Sequence, residues 1–273
     1  MPVTIQAALL GIVQGLTEFL PVSSSAHLIL ARAFFGFDSD RFGLSFDVAC
    51  HVGTLVAVLI YFRTEIARMI AALPRVFGKR SVIGDPEPHL IWLLVVGTIP
   101  AVIVGLLFGK AIEDRLRTPG VAAIALATGA VLMMVAERSG RRTRDDLSLT
   151  LPEAFWIGCA QAVALVPGVS RSGATLILAL FLGLRRPAAA RFIFLLAIPA
   201  ILGAAAHETP RILKAGFGGD TATLFVIGVV TSAVVGYLAV KYFIRYLANH
   251  SLDVFAWYRL ALAATVVVWL WRA

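Results

Sequence analysis

The stretch Gln14-Gly-Leu-Thr-Glu18-Phe-Leu-Pro21-Val-Ser23-Ser24-Ser25-Ala-His27 decides how this chain is read. It sets an amide, a carboxylate, three consecutive serines and an imidazole inside an otherwise apolar run from Ala7 to Phe35. Each of those groups is unfavourable in hydrocarbon unless it is paired, so something must compensate for their burial. Gln14 and Glu18 are four apart and share a helix face. Pro21 disfavours continuing that helix, and the serines are preferred N-caps for a new one. The spacing predicts a broken helix whose second half starts inside a membrane, with its free N–H groups aimed at an anion.

Composition agrees with a membrane setting. Of 273 residues, 59% are hydrophobic and 15% charged, with a mean hydropathy of +0.88, which excludes an ordinary soluble domain. The chain reads as an all-α integral membrane protein, one polytopic domain over 1–273. The formal charge of +8 falls between apolar segments and not along one polar face, so it reads as loop bias and not as a nucleic-acid surface. No Lys or Arg precedes the first apolar segment and Glu18 interrupts it, which argues against a cleaved signal peptide. Cys50 and Cys159 lie in apolar segments without metal-ligand spacing and read as core packing.

Six runs are long enough to span a bilayer: about 46–62, 90–109, 120–137, 191–206, 223–244 and 255–271. Two further stretches, about 6–35 and 154–184, are broken centrally and read as re-entrant helical hairpins. They resemble one another at an offset of 147: Gly11 matches Gly158, Gln14 matches Gln161, Ser23 matches Ser170 and Ser25 matches Ser172. Each is followed by three spanning runs, and an odd number of spans inverts the second half. An inverted repeat is therefore expected, with halves of about 1–139 and 150–273 and the two breaks meeting near the midplane. Segments 63–89, 138–153, 185–191 and 241–250 hold fourteen of the 24 basic residues, against eight on the opposite side. They are expected to be cytoplasmic, with both termini outside. Gly140 to Thr150 reads as a polar linker.

The second break, Val166-Pro-Gly-Val-Ser170-Arg171-Ser172-Gly173-Ala174-Thr175, carries a guanidinium. That group is always charged, expensive in a membrane, and shaped for bidentate binding of phosphate or carboxylate. Glu18 is one candidate partner, which would make the pair purely structural. Two hydroxyl-rich half-helix starts argue for more negative charge than one carboxylate supplies, and phosphate fits best. The serines have a bland reading as small residues that let helices approach, and a lone histidine is commonly a satisfied core group. His27 stands three residues after Ser24, a spacing that brings the two side chains within reach at a helix start. Gln161 and Thr175 read as supporting hydrogen-bonders or packing groups. His51, His89, His207 and His250 are assigned no chemistry. Trp92, Trp257, Trp269, Trp271, Tyr242 and Tyr258 read as interfacial anchors.

Together, residues 14–27 and Pro167-Gly-Val-Ser-Arg-Ser-Gly-Ala-Thr175 resemble the two signature motifs of the undecaprenyl-diphosphatase, or bacitracin-resistance, family, and the resemblance covers essentially the whole chain. It implies a membrane phosphatase that removes the terminal phosphate of a C55 isoprenyl diphosphate. The product is the lipid carrier of cell-wall precursors, regenerated at the outer face of the bacterial cytoplasmic membrane. Carried over by motif, Ser24 is the nucleophile, His27 the acid/base, Glu18 part of the acidic motif and Arg171 the diphosphate clamp. Gln14, Ser23, Ser25, Ser170, Ser172, Gly173 and Thr175 are the accompanying substrate-binding positions. The resemblance also implies a divalent cation, Mg2+ or Ca2+, with Glu18 as its protein ligand. The first motif position is Glu or Gln in the family and here is Gln14, which leaves one carboxylate, so the metal is expected to arrive with the diphosphate. The expected mechanism has Ser24 attack phosphorus while His27, oriented by Glu18, takes its proton; direct attack by water uses the same residues. The partners are the lipid substrate and the bilayer, with no nucleic acid, and a homodimer is compatible with the sequence. The rival class is a secondary transporter or flippase, which shares the architecture but has no need of Ser24 beside His27 and Glu18.

Overall fold

The computed structural model describes residues 1–38, 41–76, 85–215 and 219–272, without the side chains of 211–215 and 220. The basic residues Lys79 and Arg80, and the side chains of Arg211 and Lys214, lie outside that description. The described residues form eleven α-helices and one 3-10 turn, with no strand. Six helices are long and apolar enough to cross a membrane: α3 (Leu44–Tyr61), α5 (Pro86–Leu116), α6 (Pro119–Ser139), α9 (Arg186–Ala215, apolar over Arg186–Pro210), α10 (Gly219–Leu247, apolar over Thr221–Leu247) and α11 (Asp253–Arg272). Their outward faces remain apolar, with Leu107 and Ile124 each 70% exposed. Such a surface is stable only against lipid, and the chain is a multi-pass membrane protein.

The remaining helices are shorter. α1 (Val3–Phe19) and α2 (Ser24–Phe35) flank the first break, and α7 (Leu151–Val163) and α8 (Arg171–Phe181) flank the second. α1 packs on α10, and α7 packs on α5. At Gly11 and Gly15 a Cβ would come within 2.8 Å of the α10 backbone, so α1 approaches α10 almost backbone to backbone. α2 and α8 both contact α6, α11 lies along α6, and α3 lies along α9.

Two segments differ from the sequence reading. Residues Arg63–Val76, taken as loop, form helix α4, with Arg68 and Arg75 exposed and Ala72 and Val76 buried. The linker Gly140–Thr150 folds into a 3-10 turn at Asp146–Ser148, because buried Asp146 pairs with Arg191. Segments read as lying on one side do converge. Tyr61, Glu65, Arg142, Asp145, Arg185, Arg191 and Leu247 line one cavity of about 600 Å³. The opposite end of α3 carries Asp47, held by Arg32 and Arg117.

Candidate active site

Proline ends the first helix and a serine cap restarts the chain after each break. Leu20, immediately before Pro21, is extended (φ −71°, ψ 144°), as the proline ring requires of its predecessor. Ser23 then adopts φ 73°, ψ 94°, and its Oγ caps α2 by accepting from Ala26 N. The second break repeats this geometry: Ser170 has φ 74°, ψ 113°, and its Oγ accepts from Gly173 N at 3.1 Å. In each break the capping serine bonds the serine two residues on at 3.2 Å, Ser23 with Ser25 and Ser170 with Ser172. A non-glycine residue at such positive φ costs about 1–3 kcal/mol and persists where its surroundings over-determine it. Gly168 sits at φ +97°, and a Cβ there would lie 2.7 Å from Ala122 Cα, so only glycine fits this turn.

The two breaks meet. Gly168 N donates to Ser25 Oγ at 3.3 Å, and Ser172 Oγ donates to Leu20 O at 3.0 Å. Arg259 of α11, fully buried, joins them from behind. Its guanidinium donates to Pro21 O in the first break, to Gly168 O and Val169 O in the second, and to Ala125 O and Leu126 O of α6. It therefore brings a charge to the junction and is satisfied entirely by carbonyls. The sequence marks Arg259 as intramembrane but gives no sign that it holds both motifs.

Glu18 occupies the floor of this junction, with its side chain 4% exposed. Its Oε2 accepts from Ser24 Oγ at 2.7 Å and from Gln14 Nε2 at 2.8 Å, and lies 3.3 Å from His51 Nε2. Its Oε1 pairs with Arg171 Nη2. Arg171 and the His51 ring are partly open, 21% and 30% exposed, so the charged donors stand above the carboxylate they surround.

The predicted residues thus assemble, and three placements differ from those expected. First, His27 is not within the Ser24–Glu18 pair. Its Nδ1 faces Ser23 O and its Nε2 faces the Tyr258 hydroxyl, each at 2.7 Å, so both ring nitrogens are engaged elsewhere. A carbonyl only accepts, so Nδ1 carries the proton and Nε2 accepts from Tyr258 in the neutral ring. Tyr258, read as an interfacial anchor, fixes that histidine. Second, His51 was assigned no chemistry but stands within α3 against Glu18, a contact between helices that spacing along one helix does not reveal. Third, Gln14, Ser23, Ser170, Ser172, Gly173 and Thr175, expected to bind substrate, are buried. They spend hydrogen bonds within the fold: Gln14 on Glu18, the serines on caps and cross-links, and Thr175 on Arg171 O at 2.7 Å. Ser25 alone of this group is partly exposed.

The donor set does not suit a resident metal. Both Glu18 oxygens already face donors, two of them on groups able to carry positive charge. No group of three His, Cys, Asp or Glu side chains able to hold an ion occurs among the described residues. What the junction offers is an anion site: two helix starts, Arg171 and a hydroxyl hydrogen-bonded to a carboxylate.

Comparison with known proteins gives the site a context. The profile of the Bacitracin resistance protein BacA family matches residues 7–265. The chain is 50% identical over 262 residues to the undecaprenyl-diphosphatase of Rubrobacter xylanophilus, covering 96% of each chain. It is 45% identical over 263 residues to that of Desulforudis audaxviator, again 96% of each. It is also 45% identical over 267 residues to undecaprenyl-diphosphatase 2 of Stutzerimonas stutzeri, 97% of each. With both breaks inside the matched span, the chain belongs to the Bacitracin resistance protein BacA family.

Proposed function

We propose that this protein is an undecaprenyl-diphosphate phosphatase, releasing the terminal phosphate of the isoprenyl diphosphate to leave the monophosphate lipid carrier. The observation that carries the reading is the Ser24 hydroxyl donating to Glu18 at 2.7 Å beside Arg171, where the two helix breaks meet. A carrier of anions needs the guanidinium and the helix starts, but has no use for a hydroxyl held on a buried carboxylate. The relatives named above bear the name of the hydrolase.

In the proposed mechanism the diphosphate replaces Glu18 as the partner of Arg171, whose planar guanidinium takes two phosphate oxygens. The N-termini of α2 and α8 add backbone N–H groups and positive dipole ends. Ser24 Oγ attacks the terminal phosphorus, its proton passes to Glu18, and the bond to the bridging oxygen breaks with its electron pair on the lipid monophosphate. Glu18 passes that proton to the departing monophosphate and, as carboxylate again, deprotonates the water that releases phosphate from the serine; direct attack by water on the substrate uses the same groups. Buried Ser23, Ser170, Ser172, Gly173 and Thr175 hold the two breaks in register. His27, held by Ser23 O and the Tyr258 hydroxyl, steadies the start of α2 that carries Ser24. A divalent cation belongs in this scheme to the diphosphate it arrives with, as part of the substrate.

The matched serine caps and the pairing of α1 with α10 and α7 with α5 support an inverted repeat of two halves, with re-entrant hairpins at α1–α2 and α7–α8. The gathering of Arg142, Arg185 and Arg191 at the end away from Asp47 supports that end as cytoplasmic, which faces the phosphate site outward from the inner membrane. All groups named come from one chain, so the chemistry does not require a homodimer. The test is purified protein with undecaprenyl diphosphate, following phosphate release. Loss of turnover in Ser24→Ala and Arg171→Ala with folding retained supports the reading, and near-wild-type release from either rejects it.

A further inference from the structure

We propose that His51 is a positioning residue for the serine chemistry: an imidazolium that keeps the Glu18 carboxylate ionised and aimed at Ser24 once Arg171 has moved to the substrate. The inference rests on the Glu18–Ser24 reading above and goes beyond it, because neither the motifs nor the family resemblance involves residue 51.

The ring's two neighbours fix its state. His51 Nδ1 lies 2.7 Å from Asp47 O, and a backbone carbonyl only accepts, so Nδ1 carries a proton. Nε2 lies 3.3 Å from Glu18 Oε2, and a carboxylate also only accepts, so a bond there requires a second proton. A ring facing an acceptor at each nitrogen is a cation. Glu18 therefore rests between two positive groups, Arg171 on Oε1 and His51 on the oxygen that receives Ser24.

One of these groups has two demands on it. Arg171 cannot pair fully with Glu18 and also clamp a diphosphate. When it turns to the phosphate, Gln14 and Ser24 remain on Glu18, and both are neutral donors. A buried carboxylate with only neutral donors tends to protonate, which would leave the Ser24 hydroxyl without an acceptor. His51 is the remaining charge that prevents this. Among the described residues, the hydrogen bonds and ion pairs of the ring are those to Asp47 O and Glu18. α10 meets α3 through Gly228, Val229 and Ser232, and α9 meets it through Ala197 and Ile201. The Asp47 carboxylate is held by Arg32 and Arg117, and Glu208 of α9 is engaged by Ser45 at the start of α3.

The experiment measures kcat and KM for phosphate release from undecaprenyl diphosphate between pH 5 and 9, in wild type, His51→Ala and His51→Gln. Glutamine keeps a neutral donor and much of the volume, so it isolates charge from packing if alanine fails to fold. Removing a cation at this distance is expected to move the ascending limb of kcat upward by about one pH unit or more, with KM within about 2-fold. On the limb itself that is a loss of about tenfold, recovered as pH rises. A His51→Gln profile that superimposes on wild type overturns the proposal, as does a rise in KM at unchanged kcat, which would mean direct contact with substrate. Glu18→Gln is run beside it. If that variant turns over normally, the underlying serine reading fails; if it is inactive while His51→Gln is unaffected, only the role of His51 fails.

Discussion

Replacing Arg259 with methionine removes a side chain that touches both helix breaks and α6. Three of its acceptors, Pro21 O, Gly168 O and Val169 O, lie in the breaks, outside the helical ladders, at 3.0, 3.2 and 3.1 Å. A buried acceptor left without its donor costs about 1–3 kcal/mol, so three of them set a gross loss of at least about 3 kcal/mol. Against this stands the relief of desolvating a guanidinium, which is why buried charges can often be exchanged for apolar groups. The expected net loss is about 2 kcal/mol or more. Activity falls further than stability implies, because the distance between the breaks sets the phosphate site. Gly129 offers an internal control: a Cβ there would lie 2.1 Å from Arg259 Nη2, so Gly129→Ala overpacks the same junction from α6. Alone it is expected to cost about 1–3 kcal/mol. In the Arg259→Met background the clash is relieved, and the two changes should couple by about 1 kcal/mol or more. Unfolding titrations in mixed micelles measure all four corners of the cycle, with phosphate release followed in parallel. Additivity within about 0.5 kcal/mol, or an Arg259→Met protein as stable and active as wild type, refutes the view that Arg259 ties the breaks together.

Other consequences can be checked separately. Glu18→Gln should lower kcat on the order of 10²–10⁴-fold, more than His27→Asn, because in the proposed mechanism Glu18, the acceptor of the Ser24 hydroxyl, takes its proton; the reverse ranking in a steady-state assay rejects that assignment. Tyr258→Phe keeps the ring stacked on His27, 5.7 Å between centroids, but deletes the 2.7 Å hydrogen bond. Its kcat should fall while unfolding free energy changes by about 1 kcal/mol or less, and a variant that loses only stability contradicts this. Gly168→Ala should destabilise the protein, since its left-handed φ and the neighbouring α6 backbone both exclude a side chain; an unchanged unfolding midpoint would remove the requirement for glycine. Outside the spans, the hydrogen bond from Arg144 holds the Glu153 carboxyl down to about 2. A depressed folded-state value stabilises above the ordinary carboxyl range and is lost as pH falls through about 2. The stability difference between wild type and Glu153→Gln should therefore be level above about pH 5 and shrink steadily below it; a difference that grows on acidification has the wrong sign.

The structure changes the meaning of two charges. Arg171 and Glu18, one candidate structural pair, are paired here, and the same carboxylate accepts from the serine on its other oxygen. The clamp on a diphosphate is the use proposed for the same side chain that pairs with Glu18. The buried amide, hydroxyls and glycine around them are a supporting shell, and such shells decide whether a site keeps its geometry.

Sequence by itself determined that the chain is helical and carries six runs long and apolar enough to cross a membrane, since only apolar helices of that length satisfy both hydrocarbon and backbone. It also located both breaks, because proline removes a donor and restricts its predecessor wherever it stands, and serine caps whichever helix follows. Those are local rules, readable within a few residues. Which side chain holds the Ser24 proton, that His51 faces Glu18, that Tyr258 takes His27 and that Arg259 gathers both breaks were decided only by tertiary packing. Each joins helices far apart in the chain, and the distance between two such groups depends on how α1, α3, α8 and α11 seat against one another, which no spacing along a single helix encodes.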